Sequence, residues 1–305
     1  MRLPVLALVL GLALAGAAAG QREEAPPMHH VHGLAFDAAD PEALLVATHT
    51  GLVRLRSGAP AEWIGEDRFD LMGFTAHPTE AALLFASGHP DVRTYARDHV
   101  ANLGLLVSSD GGRSWRSVTL RDHADFHALA WSPAEGGRLY GWSVSGQAGL
   151  YRIATRDWSV ERLPAPGLED VLALAASPDA AGPVLAGTPE GLRISRDGGA
   201  TWRNIAGLTR QAVTAVAYDQ ADVKVVYAAV LRGRGVLMRS QDAGATWRRA
   251  GLETERDAAI VALAAGRGGQ LAAATTSGDV LRSRDGGKSW TKVVERGRAV
   301  GAGAG

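Results

Sequence analysis

The 305-residue chain has no cysteine. Disulfides, thiolate metal ligands and a thiol nucleophile are therefore excluded. It also lacks net charge, since 32 Lys and Arg balance 32 Asp and Glu. A neutral balance leaves no electrostatic footprint for nucleic acid, so none is expected as a partner. Lysine occurs only at 224, 288 and 292, and the other basic residues are Arg. We read that as compositional bias rather than function. No Gly-x-Ser-x-Gly elbow is present, which removes one route to a serine hydrolase. Beyond the N-terminus, no apolar run is long enough to span a bilayer.

What is present begins with a targeting segment. Arg2 supplies a positive charge, residues 3–15 are apolar, and Ala15-Gly16-Ala17 or Ala17-Ala18-Ala19 offers a small-residue cleavage site. This pattern predicts a signal peptide over 1–20 and a periplasmic or secreted bacterial protein with no membrane span after cleavage. An uncleaved anchor is the alternative, because the apolar run reaches the short end of the spanning range. Without a cysteine after the apolar core, bacterial lipid anchoring is not available. Residues 21–29, with Pro26-Pro27, read as a linker.

The rest of the chain is organised by a repeat. Ser-x-Asp-x-Gly-x-Ser/Thr-Trp occurs at 108–115, 195–202, 240–247 and 283–290. The structural residues of these turns are Asp110 and Trp115, Asp197 and Trp202, Asp242 and Trp247, and Asp285 and Trp290. Thr155-Arg156-Asp157-Trp158 is a degenerate copy in phase with them. Trp63, Trp115, Trp158, Trp202, Trp247 and Trp290 thus count six units, and a repeat of 40–45 residues is the period of a propeller blade. An apolar hexamer with a small third residue aligns without gaps at 31–36, 71–76, 126–131, 171–176, 213–218 and 260–265. It suits a crowded innermost strand. The pattern predicts an all-β, six-bladed β-propeller of four-stranded antiparallel blades over 30–297, followed by a disordered tail over 298–305. Blades 1 and 6 each hold four strands of their own, so closure is expected by face-to-face packing. Trp63 to Trp115 is 52 residues, against 43 to 45 elsewhere. The excess predicts a long loop over about 88–102, a place where function concentrates.

The repeated turn resembles the Asp box, or bacterial neuraminidase repeat, of β-propellers. Families that carry it include sialidases, sortilin-type receptors, xyloglucan hydrolases and photosystem II assembly factors. The chain is similar over about 30–297 to exported bacterial propellers of glycosyl-hydrolase-like or sialidase-like kind. That resemblance implies the fold, and it implies that the box supports each blade rather than the chemistry. The sialidase pattern itself is not met. An Arg-Ile-Pro stretch before the first box is missing, and Tyr95 is the only Tyr expected near the open face.

All nine histidines fall between residues 29 and 127. Propeller topology places most of them at the end opposite the Asp boxes, with only His77 at the other. His30, His32, His49, His89, His99 and His127 form a candidate metal set, of which three or four would converge. Imidazole suits copper or zinc. Asp91, Asp98 and Asp125 are candidate supporting carboxylates. Arg210, Arg232, Arg234 and Arg256 are weaker ligand-binding candidates across the same open face, since guanidinium binds carboxylate or phosphate bidentately. Asp67, Asp70, Asp122, Asp125, Asp170 and Asp257 are the carboxylates from which a glycosidase pair would be drawn.

The reading that follows is an envelope binding protein using the His-rich face of blades 1–3. Its ligand would be a metal ion, a glycan or a protein. The alternative is a carbohydrate-active hydrolase on the same face.

Overall fold

The computed structural model describes residues 26–301. The signal segment expected over 1–20 lies outside them. Six antiparallel sheets form a ring. Their innermost strands are Val31–Phe36, Asp70–Ala76, Phe126–Ser132, Ala173–Ala176, Val213–Tyr218 and Ile260–Ala265. Each touches the next in turn, and the first touches the last. The chain is a six-bladed β-propeller.

The small third residue of the innermost strand has a steric reason. A Cβ on Gly33 would lie 2.7 Å from Phe74 Cβ, and one on Gly73 would lie 2.3 Å from the Phe126 carbonyl oxygen. Neighbouring blades converge there, leaving no room for a Cβ at Gly33 or Gly73, and the other four blades carry Ala at this position. The second strands are the most enclosed elements, and all six residues of Ala43–Thr48 are buried. Each hydrophobic cluster joins facing sides of two adjacent blades, as where Leu45, Leu52, Phe74 and Leu106 meet between blades 1 and 2.

The Asp boxes tie blade to blade. In the first, Ser108 Oγ donates to Asp110 Oδ1 at 2.7 Å and accepts from the Gly112 amide at 2.8 Å. Ser114 Oγ donates to Asp110 Oδ2 at 2.6 Å. Gly112 has φ +88°, and a Cβ there would strike Leu52 of the preceding blade. The later boxes repeat the bonds, and Trp202 Nε1 donates to the Gly199 carbonyl at 3.0 Å. In blade 3, where the glycines are gone, Trp158 itself takes a φ of +60°.

Blade 6 contributes all its own strands, so the ring closes by packing rather than by a strand from the N-terminus. A polar clasp reinforces the seam. Arg282, buried on blade 6, donates to the Glu42 carbonyl at 2.7 Å and lies over the Phe36 ring of blade 1. Two boundaries differ from expectation. Met28, in the expected linker, is fully buried, and its amide donates to the Gly297 carbonyl at 2.9 Å. Arg298–Ala299, in the expected loose tail, pairs with Thr291–Glu295 as a fifth strand of blade 6. Both gain backbone hydrogen bonds at the seam that a free tail would forgo. Residues 302–305 lie outside the described part.

The long loop of blade 2 is not irregular throughout. It holds a helix, Val92–Asp98. Asp91 Oδ1 accepts from the Thr94 amide at 2.7 Å as the N-cap, and His99 closes the helix in the left-handed conformation. The Leu103 amide donates to the Gly88 carbonyl at 2.9 Å and pinches the base of the loop.

Candidate functional site at the mouth of blades 1–3

The end opposite the Asp boxes is built from two kinds of segment. One enters the innermost strand; the other joins the second strand to the third. Alignment of the blades gives the columns. His32 and His127 share one position of the innermost strand, with Met72 between them on blade 2. Two residues earlier stand His30, Asp70 and Asp125. His49 and His89 follow or end the second strands of blades 1 and 2.

These columns meet as two groups of the same composition. In the first, Asp70 Oδ1 lies 2.8 Å from His49 Nδ1 and 3.8 Å from His32 Nε2. In the second, Asp125 Oδ2 lies 2.8 Å from His127 Nε2 and 3.5 Å from His89 Nε2. Within each group the three donor atoms lie within 4.8 Å of one another. The groups adjoin, because Asp70 and His89 are Cα partners on blade 2. Asp125 is 3% exposed. Burial first, and then His49, lowers the His32 pKa to about 4, with Asp70 acting the other way. His32 is therefore neutral near pH 7, with a lone pair free on its ring.

Of the six candidate histidines, the structure brings His32 with His49, and His89 with His127. His30 lies edge-on to His49, with ring centroids 4.8 Å apart, outside the two groups. His99 does not join them. It caps the helix, its amide donates to the Tyr95 carbonyl, and its ring faces the Tyr95 ring. Asp91 is occupied as the helix cap, and Asp98 pairs with Arg97 and Arg121. Those two hydrogen bonds hold the Asp98 carboxyl down at about 2. Asp125 takes the place expected of it. Asp70 was absent from the expected ligand set, although the blade alignment puts it in the column of Asp125. Arg210, Arg232, Arg234 and Arg256 are exposed and make no salt bridge within the described residues. Arg232 Nε donates to Gln211 Oε1 at 2.6 Å.

Below the mouth, a cavity of about 460 Å³ follows the axis. His32 and His127 stand at its head, Phe74, Leu129 and Trp131 line it, and it reaches the Asp-box end at His77 and Gln270. His77 is set apart from the metal candidates, its Nδ1 accepting from the Glu80 amide at 3.0 Å.

With this geometry in hand, the relatives can be placed. The family model for photosynthesis system II assembly factor YCF48 matches residues 151–303, half of the chain. The chain belongs to the YCF48 family. All nine histidines precede the part matched to YCF48, so the mouth groups are carried by the other half. Among solved structures the chain is similar to YCF48 from Cyanidioschyzon merolae, at 15% identity and TM-score 0.53 over 84% of this chain and 96% of that one. It is similar to YCF48 bound to D1 peptide, at 15% and 0.52 over 83% and 76%. It is also similar to the GH74 xyloglucanase from Xanthomonas campestris, at 18% and 0.56 over 88% and 46%. At these identities the structures share the fold with the chain. It spans between 39% and 46% of the length of the GH74 enzymes it matches. No curated protein matches it by sequence.

Proposed function

We propose that this chain is an exported binding protein of the cell envelope, and that it captures a peptide segment of another protein at its histidine-bearing mouth. One observation carries the reading. The exposed large hydrophobics among the described residues are Val92, Tyr95, Val144, Leu172, Leu231 and Val300. All but Val300 sit at the mouth end, on the helix of blade 2 or at strand ends of blades 3 to 5. Five exposed apolar side chains sharing one end of the molecule, rather than spread over both, support docking of a partner there. The exposed arginines at the same end would serve carboxylates of such a peptide. The family is that of an assembly factor, and one YCF48 structure is of that protein bound to D1 peptide. Among the described residues no helix is long and apolar enough to cross a membrane.

The hydrolase alternative has less to stand on. Asp70 and Asp125 are each taken up by two imidazoles, and Asp122 accepts the Ala101 amide at 3.0 Å. Asp67 has a raised carboxyl pKa, from burial and then from Asp91, but Asp91 is committed to the helix cap.

The test uses the mature chain recovered from the periplasm of an expressing bacterium. A mass short by about the first 20 residues checks export. The chain is then applied to an array of synthetic peptides that mix apolar and acidic residues, and to a glycan array. Peptide binding that falls about tenfold or more in Leu172→Asp is expected, from the loss of an exposed Leu that the bound peptide would bury. Binding to glycans alone would overturn the reading.

A further inference from the structure

The two mouth groups have a feature that peptide capture does not require. His89 Nδ1 lies 3.2 Å from the Ala101 carbonyl oxygen. A carbonyl can only accept, so that nitrogen carries the hydrogen. In that tautomer the bare lone pair of Nε2 points toward Asp125 Oδ2, 3.5 Å away. A metal cation between two such acceptors would satisfy both at once. The other oxygen of this buried carboxylate, Oδ1, has no hydrogen-bond partner. The first group has the same deficit. His32 Nε2 and Asp70 Oδ1 are both buried and without a hydrogen bond, although His49 Nδ1 stands 2.8 Å from that oxygen. One dication satisfies all three donors at once.

We propose that the mouth binds two divalent transition ions of the zinc and copper(II) class, one on His32, His49 and Asp70 and one on His89, Asp125 and His127. Two imidazoles and a carboxylate are the donor set of that class, and hard ions such as magnesium prefer oxygen donors alone. Zinc held at about 2.0–2.1 Å by tetrahedral ligands needs donors roughly 3.4 Å apart. The His–Asp separations of 2.8, 3.8, 2.8 and 3.5 Å bracket that value, and the two imidazoles of each group have donor atoms within 4.8 Å of one another. The Ala101 carbonyl orients His89 as an outer partner orients a metal-bound imidazole. Three protein donors leave a coordination position open toward the mouth. Blades 4 to 6 carry Leu172, Thr214 and Val261 in the column of His32 and His127, and have no counterpart of either site.

The two sites form one composite surface. Each takes a His from the end of a second strand and an Asp from the entry of the next blade. They differ in the third ligand, His32 coming from the earlier blade and His127 from the later one. An incoming side chain with a nitrogen or carboxylate donor could complete either ion. The proposal shares the mouth with the peptide reading, but its test needs no peptide, so the two fail separately.

The full mature chain, stripped of metal, is titrated with zinc(II) alone, and bound zinc is counted by calorimetry and elemental analysis. Two equivalents are expected for the wild type. His49→Ala and His89→Ala, both at half-exposed positions, are each expected to keep one equivalent, and the double variant none. Gln at the same positions serves if Ala unfolds the protein, with circular dichroism as the folding check. No uptake by the wild type, or two equivalents retained in the double variant, overturns the proposal. A wild type that binds one equivalent in all, abolished by either single substitution, overturns it as well, since the groups would then share one ion.

Discussion

The innermost strand shows how little room a single residue has. The site where a Gly73 Cβ would sit is 2.3 Å from the Phe126 carbonyl oxygen, which belongs to the next blade's backbone and cannot rotate away. Gly73→Ala must therefore separate blades 2 and 3 locally. A loss of about 1–3 kcal/mol is expected, the usual cost of overpacking an enclosed site. Chemical denaturation measures it, and an unchanged midpoint would show that the ring has slack. The same column continues as Ala128, Ala173, Ala215 and Ala262, so the constraint runs around the axis. His32 and His127 stand one position earlier, where this tight packing gives way to the open mouth.

At the scale of the element, the Asp box is the acid-sensitive part. The carboxyls of Asp110, Asp197 and Asp242 are held down at about 2 by hydrogen bonds from the Ser or Thr hydroxyl four residues on, and Asp285 is lowered in the same way. Their ordinary value is 3.8. The folded value lies below the unfolded one, so the stabilisation is fully present above pH 3.8 and is lost as pH falls from there toward 2. Thermal midpoints taken between about pH 6 and 2.5 should fall most steeply below about pH 4. Asp197→Asn should start lower and fall less steeply. Parallel curves for the two proteins would assign the acid sensitivity elsewhere. The helix Val92–Asp98 is the element least legible beforehand. A seven-residue helix leaves too short a period to detect, so in the sequence its cap residues stand instead among the site candidates, His99 as a metal ligand and Asp91 as a supporting carboxylate.

At the scale of the whole molecule, the ring has one seam, between the first and last blades. Arg282 spans it from a buried position, reaching the carbonyls of Glu42 at 2.7 Å and Pro41 at 3.3 Å. Arg282→Ala removes a charged donor from two carbonyls, a change worth about 1.5–3 kcal/mol. Amide exchange should then quicken in Val31–Phe36 and Ile260–Ala265, with blades 3 and 4 unaffected. A uniform increase would mean that the ring opens as a unit and that the seam has no special role.

The blade count, the innermost strands and the box turns follow from the sequence alone. Each depends on contacts within some 45 residues, and the repetition of those contacts makes their period visible. The two histidine–aspartate groups do not follow in that way. His49 and Asp70 come from different blades, as do His89 and Asp125, and nothing in their spacing reveals that their oxygen and nitrogen atoms meet at 2.8 and 3.5 Å. The gathering of histidines into one third of the chain pointed to the end of the molecule where the two groups lie. The angular position of each strand around the axis, set by packing of whole blades, puts Asp70 rather than Asp91 or Asp98 beside the imidazoles and leaves His99 aside. The clasp at the seam is likewise a property of the closed ring, because its partners stand some 240 residues apart in the chain.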